Sequence, residues 1–219
     1  MIETIHFRKV TPNVFVGSPP EGGPSDVWGQ ELTFEKGKSY LIEAASGRGK
    51  SSLCAFLYAL RSDYQGSIEL IDADGKRIEL REKAVCEMRK SALALMFQEH
   101  RLFPELTAVE NVMLKSMLTG IYTEQEVRQM LSRTGLHDRL DTPCARLSLG
   151  QQQRVAFVRM LAQPADFLLL DEPISHLDEA NAEIMAGMLR EKQRMTGAGV
   201  IVTSIGSRLP YEYDEIIRL

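Results

Sequence analysis

The sequence is poor in cysteine, in long apolar runs and in net positive charge, and each shortage narrows what the chain can be. Cys54, Cys86 and Cys144 are the only cysteines among 219 residues. They cannot all pair within one chain, and no C-x-x-C spacing offers a zinc site, so a disulfide-stapled or zinc-finger scaffold is excluded. We read them as three buried small hydrophobes in a reducing compartment. No stretch approaches the roughly 18 to 20 consecutive apolar residues that span a bilayer. The first ten residues interleave Glu3, His6, Arg8 and Lys9 with single apolar residues, unlike a secretory leader. The chain is therefore expected to be soluble and cytoplasmic, with any membrane work done through a spanning partner. Lys plus Arg number 26 against 30 Asp plus Glu, a net charge of −4. That balance argues against nucleic acid as a partner.

Internal repeats and low-complexity tracts are also missing, and the one Pro/Gly-rich stretch, residues 18–24, reads as a surface loop between two early strands. What is present is 44% apolar content, enough to bury the core of one ordinary domain over residues 1–219. Lys38 to Ala44 has a short strand pattern, and an apolar helix follows from Lys50 to Leu60. Ser67 to Ile71 and Lys76 to Leu80 read as strands around the turn Asp72-Ala-Asp-Gly75, and Ala92 to Phe97 as another. From Thr107 to about Thr134 the period becomes helical, with a break at Gly120 and a second segment from Glu124 to Leu131. Further helices are expected from Gly150 to Ala162 and from Asp178 to Met195. Buried strands are expected at Phe167–Leu170 and Gly199–Thr203, with a last strand at Tyr213–Leu219. Strands and helices alternate at both ends while helices gather in the middle, which predicts an α/β sheet with a helical insert near residues 99–148.

Ala45-Ser-Gly-Arg-Gly-Lys-Ser-Ser52 lies between a predicted strand and a predicted helix. Glycines at Gly47 and Gly49 let backbone N–H groups turn toward a phosphate chain, and the helix N-terminus adds its positive dipole end. Ser46, Gly47, Arg48, Gly49, Lys50, Ser51 and Ser52 are the expected nucleotide-binding residues. Lys50 supplies a point charge for the β- and γ-phosphates, Ser51 a hydroxyl for Mg²⁺, and the Arg48 side chain is expected to point outward. A loop of small residues capping an ordinary helix is the plainer alternative.

A second apolar run, Phe167-Leu-Leu-Leu-Asp-Glu-Pro173, ends in two carboxylates. Ligands of open α/β sheets gather at the carboxyl ends of strands, so Asp171 and Glu172 should face the cradle. Asp171 suits an outer-shell role toward Mg²⁺, and Glu172 can polarise water for in-line attack on a γ-phosphate.

Leu147-Ser-Leu-Gly-Gln-Gln-Gln-Arg154 resembles the L-S-G-G-Q signature of ATP-binding cassette (ABC) ATPases. Met96-Phe-Gln98 with Leu102-Phe-Pro104 and Leu106-Thr-Ala-Val-Glu-Asn-Val112 resembles that family's glutamine loop and the start of its helical subdomain. Ser175-His-Leu-Asp178 is similar to its S-A-L-D loop. The order Lys50, Gln98, Ser148, Asp171, Asp178 matches compact family members over nearly the whole chain, in particular the lipoprotein-release, macrolide-export and cell-division group. The resemblance implies a P-loop NTPase fold of ABC type. Its mostly parallel core sheet would carry an N-terminal antiparallel part and a helical subdomain inserted in a RecA-like core. It implies an ATPase that dimerises head to tail on ATP, with Mg²⁺, and drives a membrane-spanning permease from the inner face of the membrane; a homodimer is favoured over a heterodimer. Ser148, Gly150 and Gln151 would complete the partner's ATP site, Gln98 would touch Mg²⁺ or the attacking water, and Asp178 would line the dimer seam. An aromatic residue stacks on adenine in this family; Phe15 is preferred to Trp28, which is read as the alternative or as core.

Three positions depart from that pattern. Ala44 replaces a cradle glycine, which is tolerable if its φ is negative. Leu149 replaces the first signature glycine and adds bulk near the partner's ATP. Ser204 stands where the family has a switch histidine that contacts the γ-phosphate. His176 is a candidate substitute, although a solvent-facing or dimer-seam position is favoured. The expectation is ATP binding with slow hydrolysis, and the alternative is an ATP-gated regulatory or scaffolding subunit with negligible hydrolysis.

Overall fold

The computed structural model describes residues 1–18, 23–80 and 82–219, the side chains of 82–84 excepted. Positions 19–22 of the expected Pro/Gly-rich surface loop lie outside the described residues.

Five strands form a wholly parallel sheet, in the order β6 (Leu93–Met96), β7 (Phe167–Asp171), β8 (Gly199–Ser204), β3 (Ser39–Glu43), β9 (Glu215–Arg218). The apolar run of β7 is buried along its full length, and so is β8. That is the pattern of strands covered on both faces. Alternation then assigns the side chains: Leu168, Leu170, Val200 and Val202 face one core, while Phe167, Leu169 and Ile201 face the other. The second sheet is antiparallel, in the order β2 (Glu31–Glu35), β1 (Ile2–Pro12), β4 (Tyr64–Asp72), β5 (Arg77–Glu79). It packs Ile5, Phe7, Phe34 and Leu70 into the core shared with Phe167 and with Leu53, Phe56 and Leu57 of α1 (Lys50–Leu57). Asp166 joins the two sheets by accepting from the Ile2 N–H at 2.7 Å and from Lys36 at 2.9 Å.

The other core lies under α3 (Ala108–Thr119), α4 (Glu124–Leu131), α5 (Leu149–Leu161) and α6 (Glu179–Thr196), with Val109, Val112, Val127, Leu131 and Phe157 among its members. Reciprocal side-chain caps open α3, α4 and α5. Thr107 pairs with Glu110, Thr123 with Glu126 and Ser148 with Gln151, each satisfying two backbone donors that a helix start leaves unpaired. Gly120 ends α3 at φ +67°, which explains the break in the periodicity there.

Two features differ from the sequence expectation. A helix, α2 (Glu82–Ser91), fills the gap before β6. Its described apolar residues are few and its buried side is narrow, with Val85 buried and Met88 half-buried, so no clear stripe announced it. Cys54 and Cys144 are buried as expected, but Cys86 lies on the outer side of α2 and is exposed.

Candidate nucleotide site

Because the core sheet is wholly parallel, the loops after β3, β6, β7 and β8 all emerge at one edge. Topology alone thus gathers residues 44–52, Gln98, Asp171–Glu172 and Ser204 from distant parts of the sequence.

The loop after β3 leads into α1 through Gly47 at φ +81° and Gly49 at φ +97°, both in backbone geometry that disfavours a side chain. At Gly49 space excludes one as well: a Cβ would come within 3.0 Å of the Trp28 ring and 3.1 Å of Phe15. Among the described residues the N–H groups of Ser46, Gly47 and Gly49 donate to no backbone carbonyl, which suits an anion nest at a helix start. Ala44 lies outside the left-handed region, so its methyl is accommodated as expected. Lys50 is 4% exposed; its ammonium donates to the Ala44 and Ala45 carbonyls at 3.0 and 2.9 Å and stands 3.9 Å from Glu172 Oε1. Burial pushes Lys50 below the ordinary lysine value, against the opposing pull of Glu172 and Asp171.

Gln98 bridges the site. Its amide donates to Glu172 Oε2 at 3.2 Å, and its carbonyl oxygen accepts from Ser51 Oγ at 3.5 Å. Burial raises the pKa of Asp171, opposed by hydrogen bonds from Thr203 and Ser51. Glu172 is raised too, by burial first, with Lys50 acting against it. Glu172 sits at φ +50°, an uncommon conformation for a residue with a side chain. It is held there by its N–H to Thr203 Oγ1 at 3.2 Å and by its carbonyl, which accepts from Gln153 at 3.3 Å. The oxygens of Ser51, Gln98 and Asp171 form a hard donor set, the kind that suits Mg²⁺. A cavity of about 340 Å³ opens among these groups, lined by Phe15, Ser46, Gly47, Lys50, Ser51, Ser52, Gln98 and Glu172.

The two aromatic candidates separate cleanly. Phe15 is half-buried and lines the cavity, whereas Trp28 is buried beneath the loop and donates from Nε1 to the Arg48 carbonyl at 3.0 Å. Arg48 corrects the expectation of an outward side chain. It is 8% exposed and donates to the Gly23 and Pro24 carbonyls at 3.0 and 3.5 Å, on the far side of the loop from the cavity.

The remaining candidates occupy helix starts. Ser148 and Gln151 cap α5, Asp178 caps α6, and Leu149 projects into solvent at 56% exposure. Gly150 has a steric reason to be glycine, since a Cβ would approach the His176 carbonyl oxygen to 2.6 Å. His176 is exposed, bonded to Ser175 Oγ at 2.9 Å and edge-on to the buried His100. Ser204 is buried. Its hydroxyl donates to the Ser207 carbonyl at 2.6 Å and accepts from the Gly206 N–H at 3.1 Å.

Two positioning residues were missed by sequence reasoning. Thr203 donates to Asp171 Oδ1 at 2.6 Å besides holding Glu172, and it lies directly across the β7–β8 pair from Asp171. Gln153, 1% exposed, ties the Glu172 carbonyl to Ser175 and to the His176 N–H. Its only sequence signal was membership of the Gln-Gln-Gln run.

The family model described as ABC transporter matches residues 28–175. The lipoprotein-releasing system ATP-binding protein LolD of Legionella pneumophila (strain Lens) is 34% identical over 194 residues, 87% of this chain and 85% of the relative. LolD 1 of Caulobacter vibrioides is 35% identical over 179 residues, 80% and 75% of the two chains. Among solved structures, the dimeric ABC transporter cassette MJ0796 superposes with a TM-score of 0.73 at 25% identity, covering 91% of this chain and 87% of its own. Its ADP- and phosphate-bound, post-hydrolysis form gives 0.74 at 24% identity with the same coverage, a likeness of fold. The chain belongs to the ABC transporter family.

Proposed function

We propose that this chain binds ATP with Mg²⁺ and hydrolyses it slowly, as the ATPase subunit of an ABC transporter or ABC-type mechanotransmission complex. The observation that carries the reading is the convergence of Lys50, Gln98 and Glu172 on one cavity at the mouth of the residue 45–52 loop, with Asp171 hydrogen-bonded to the cavity-lining Ser51. Lys50 and the loop N–H groups bind the phosphates, and Phe15 stacks on the base. Mg²⁺ would be held by Ser51, Gln98 and Asp171 and would supply charge neutralisation along the phosphate chain. Glu172 is the base that takes a proton from the attacking water; its raised pKa suits that task, because the best base titrates near working pH. Gln98 orients the Glu172 carboxylate through the 3.2 Å bond.

Two copies pair head to tail in this reading, with Ser148, Gly150 and Gln151 closing the partner's site and Asp178 at the seam. The dimeric state named for MJ0796 supports it, and two identical chains are preferred. The LolD relatives, named as ATP-binding proteins of a lipoprotein-releasing system, support a membrane-spanning partner. The described residues contain no helix long and apolar enough to cross a membrane; attachment to the cytoplasmic face of the membrane through that partner is part of the proposed reading. A regulatory subunit with negligible hydrolysis is the second reading, favoured by one observation: the Ser204 hydroxyl is committed to Ser207 and Gly206.

Titration of the purified chain with MgATP tests the proposal. Saturable binding that Lys50→Ala weakens by about 10²-fold or more is expected, from loss of a charge-assisted contact to phosphate. No MgATP binding by the unaltered chain overturns it. Phosphate release with and without the membrane subunit separates the two readings.

A further inference from the structure

Lys50 and Lys192 are buried and the Lys36 side chain is nearly so, and what each ammonium meets differs. Lys36, with its side chain 10% exposed, meets Asp166 at 2.9 Å. Lys50 faces the phosphate cradle. Lys192, on α6 and 6% exposed, meets neither; among the described residues no carboxylate lies within 4 Å of its Nζ. Among the described residues its ammonium donates one hydrogen bond, to Tyr122 Oη at 3.3 Å, and it lies 5.3 Å from the centroid of the same ring. An ammonium left in an apolar setting without a counter-charge is costly, and burial alone pushes Lys192 below the ordinary lysine value.

Lys192 and Tyr122 open on a cleft of about 130 Å³ between the residue 122–133 segment and α6. Its walls are the apolar Met130, Leu161, Met188 and Met195. Glu191, the carboxylate on its rim, is already bonded to Arg133 at 2.6 Å. Arg133 offsets Glu191, and although Glu126 and Glu191 both act on Tyr122, neither is paired with Lys192, whose ammonium stands at the end of an aliphatic pocket without a direct counter-charge among the described residues. Tyr122 accepts from Lys192, and its own hydroxyl proton remains available to a second acceptor. The volume suits a few non-hydrogen atoms, since a water takes about 30 Å³.

We propose that this cleft binds a small monoanionic carboxylate with a short aliphatic chain. The carboxylate accepts from Lys192 Nζ and Tyr122 Oη, and the chain lies among the methionines. Such an occupant adds a polar tie between the residue 122–133 segment and α6, beside the Arg133–Glu191 pair, and gives the buried ammonium its missing counter-charge. The site is separate from the nucleotide cavity, and none of its lining residues is shared with it.

Sodium butyrate, added to the full-length chain at constant ionic strength, is the probe, and the methyl resonances of Met130, Met188 and Met195 are the readout. The expected result is a saturable shift of these three signals, with affinity about tenfold or more weaker in Lys192→Gln. Butylamine hydrochloride and sodium chloride should leave the signals unmoved. The proposal is overturned if butyrate causes no saturable shift, if Lys192→Gln responds equally, or if chloride gives the same shift, which would mean a general anion site. Should Lys192→Gln fail to fold, Tyr122→Phe replaces it: weakened butyrate binding supports the assignment, and unchanged binding removes it.

Discussion

The loops after β3 and β8 leave the same edge of the same sheet, yet they dispose of their polar groups in opposite ways. After β3, glycines hold N–H groups of the loop clear of backbone partners, and Lys50 is aimed into a cavity of about 340 Å³. After β8, Ser204 turns back on its own chain, closing onto Ser207 and Gly206. One loop leaves N–H groups free of backbone partners among the described residues, while the other bonds to itself. Under the proposed function, this contrast separates binding from turnover: the groups proposed to grip phosphate face the cavity, while the Ser204 hydroxyl is bonded to its own loop.

The sharpest way to break this contrast is at Glu172, the proposed base. Glu172→Gln keeps the shape and the bond to Gln98 but removes the base, so phosphate release should fall by about 10²- to 10⁴-fold while MgATP affinity holds. Chromatographic mass measurement in MgATP should then show a persistent nucleotide-bound dimer. Unchanged turnover would mean that another group takes the proton.

Ser204→His works on the other loop. A cavity of about 120 Å³, bordered by Glu172, Ser175, Ile205 and Ser207, adjoins Ser204 and offers room for an imidazole. A regained contact to the γ-phosphate should raise phosphate release by up to about 10²-fold, since single transition-state donors are worth about 10² to 10³. If turnover stays flat while the fold survives, Ser204 does not limit hydrolysis.

Gly150→Ala probes a third wall. Its Cβ would press on the His176 carbonyl at 2.6 Å, and backbone cannot yield as a side-chain tip can. We expect about 1 to 3 kcal/mol of destabilisation in urea, without loss of MgATP binding by the single chain. Ordinary stability would show that the α5 start and the residue 173–178 loop move apart easily.

Much of this architecture could be read from the residues because strong local signals coincide with it. The Phe167–Leu170 and Gly199–Thr203 runs are buried on both faces, and side-chain caps mark the starts of α3, α4 and α5. Helix α2 was illegible because so little of its described surface is apolar and buried. Cys86 misled for the same reason: burial depends on which side of a helix faces the core, and no helix was expected there. Arg48 misled because a charged side chain in a phosphate loop has no sequence cue for the two carbonyls that receive it from residues 23 and 24. Thr203 became meaningful only through register, as the residue opposite Asp171.

The smallest expected effect concerns the carboxylates themselves. Burial raises both Asp171 and Glu172 above the ordinary carboxylate range, so over a window just above that range the folded chain holds protons that the unfolded chain has released. Stability falls with rising pH wherever the native state binds more protons. In the absence of nucleotide, the urea midpoint should therefore decline as pH climbs above the ordinary carboxylate range of about 4. Asp171→Asn, which keeps an oxygen for Thr203 without the charge, should flatten the decline, whereas a surface change such as Asp74→Asn should not. A slope that Asp171→Asn leaves untouched would place the titration elsewhere. It would also weaken the picture of a cradle whose charges are held under strain until phosphate and its cation arrive.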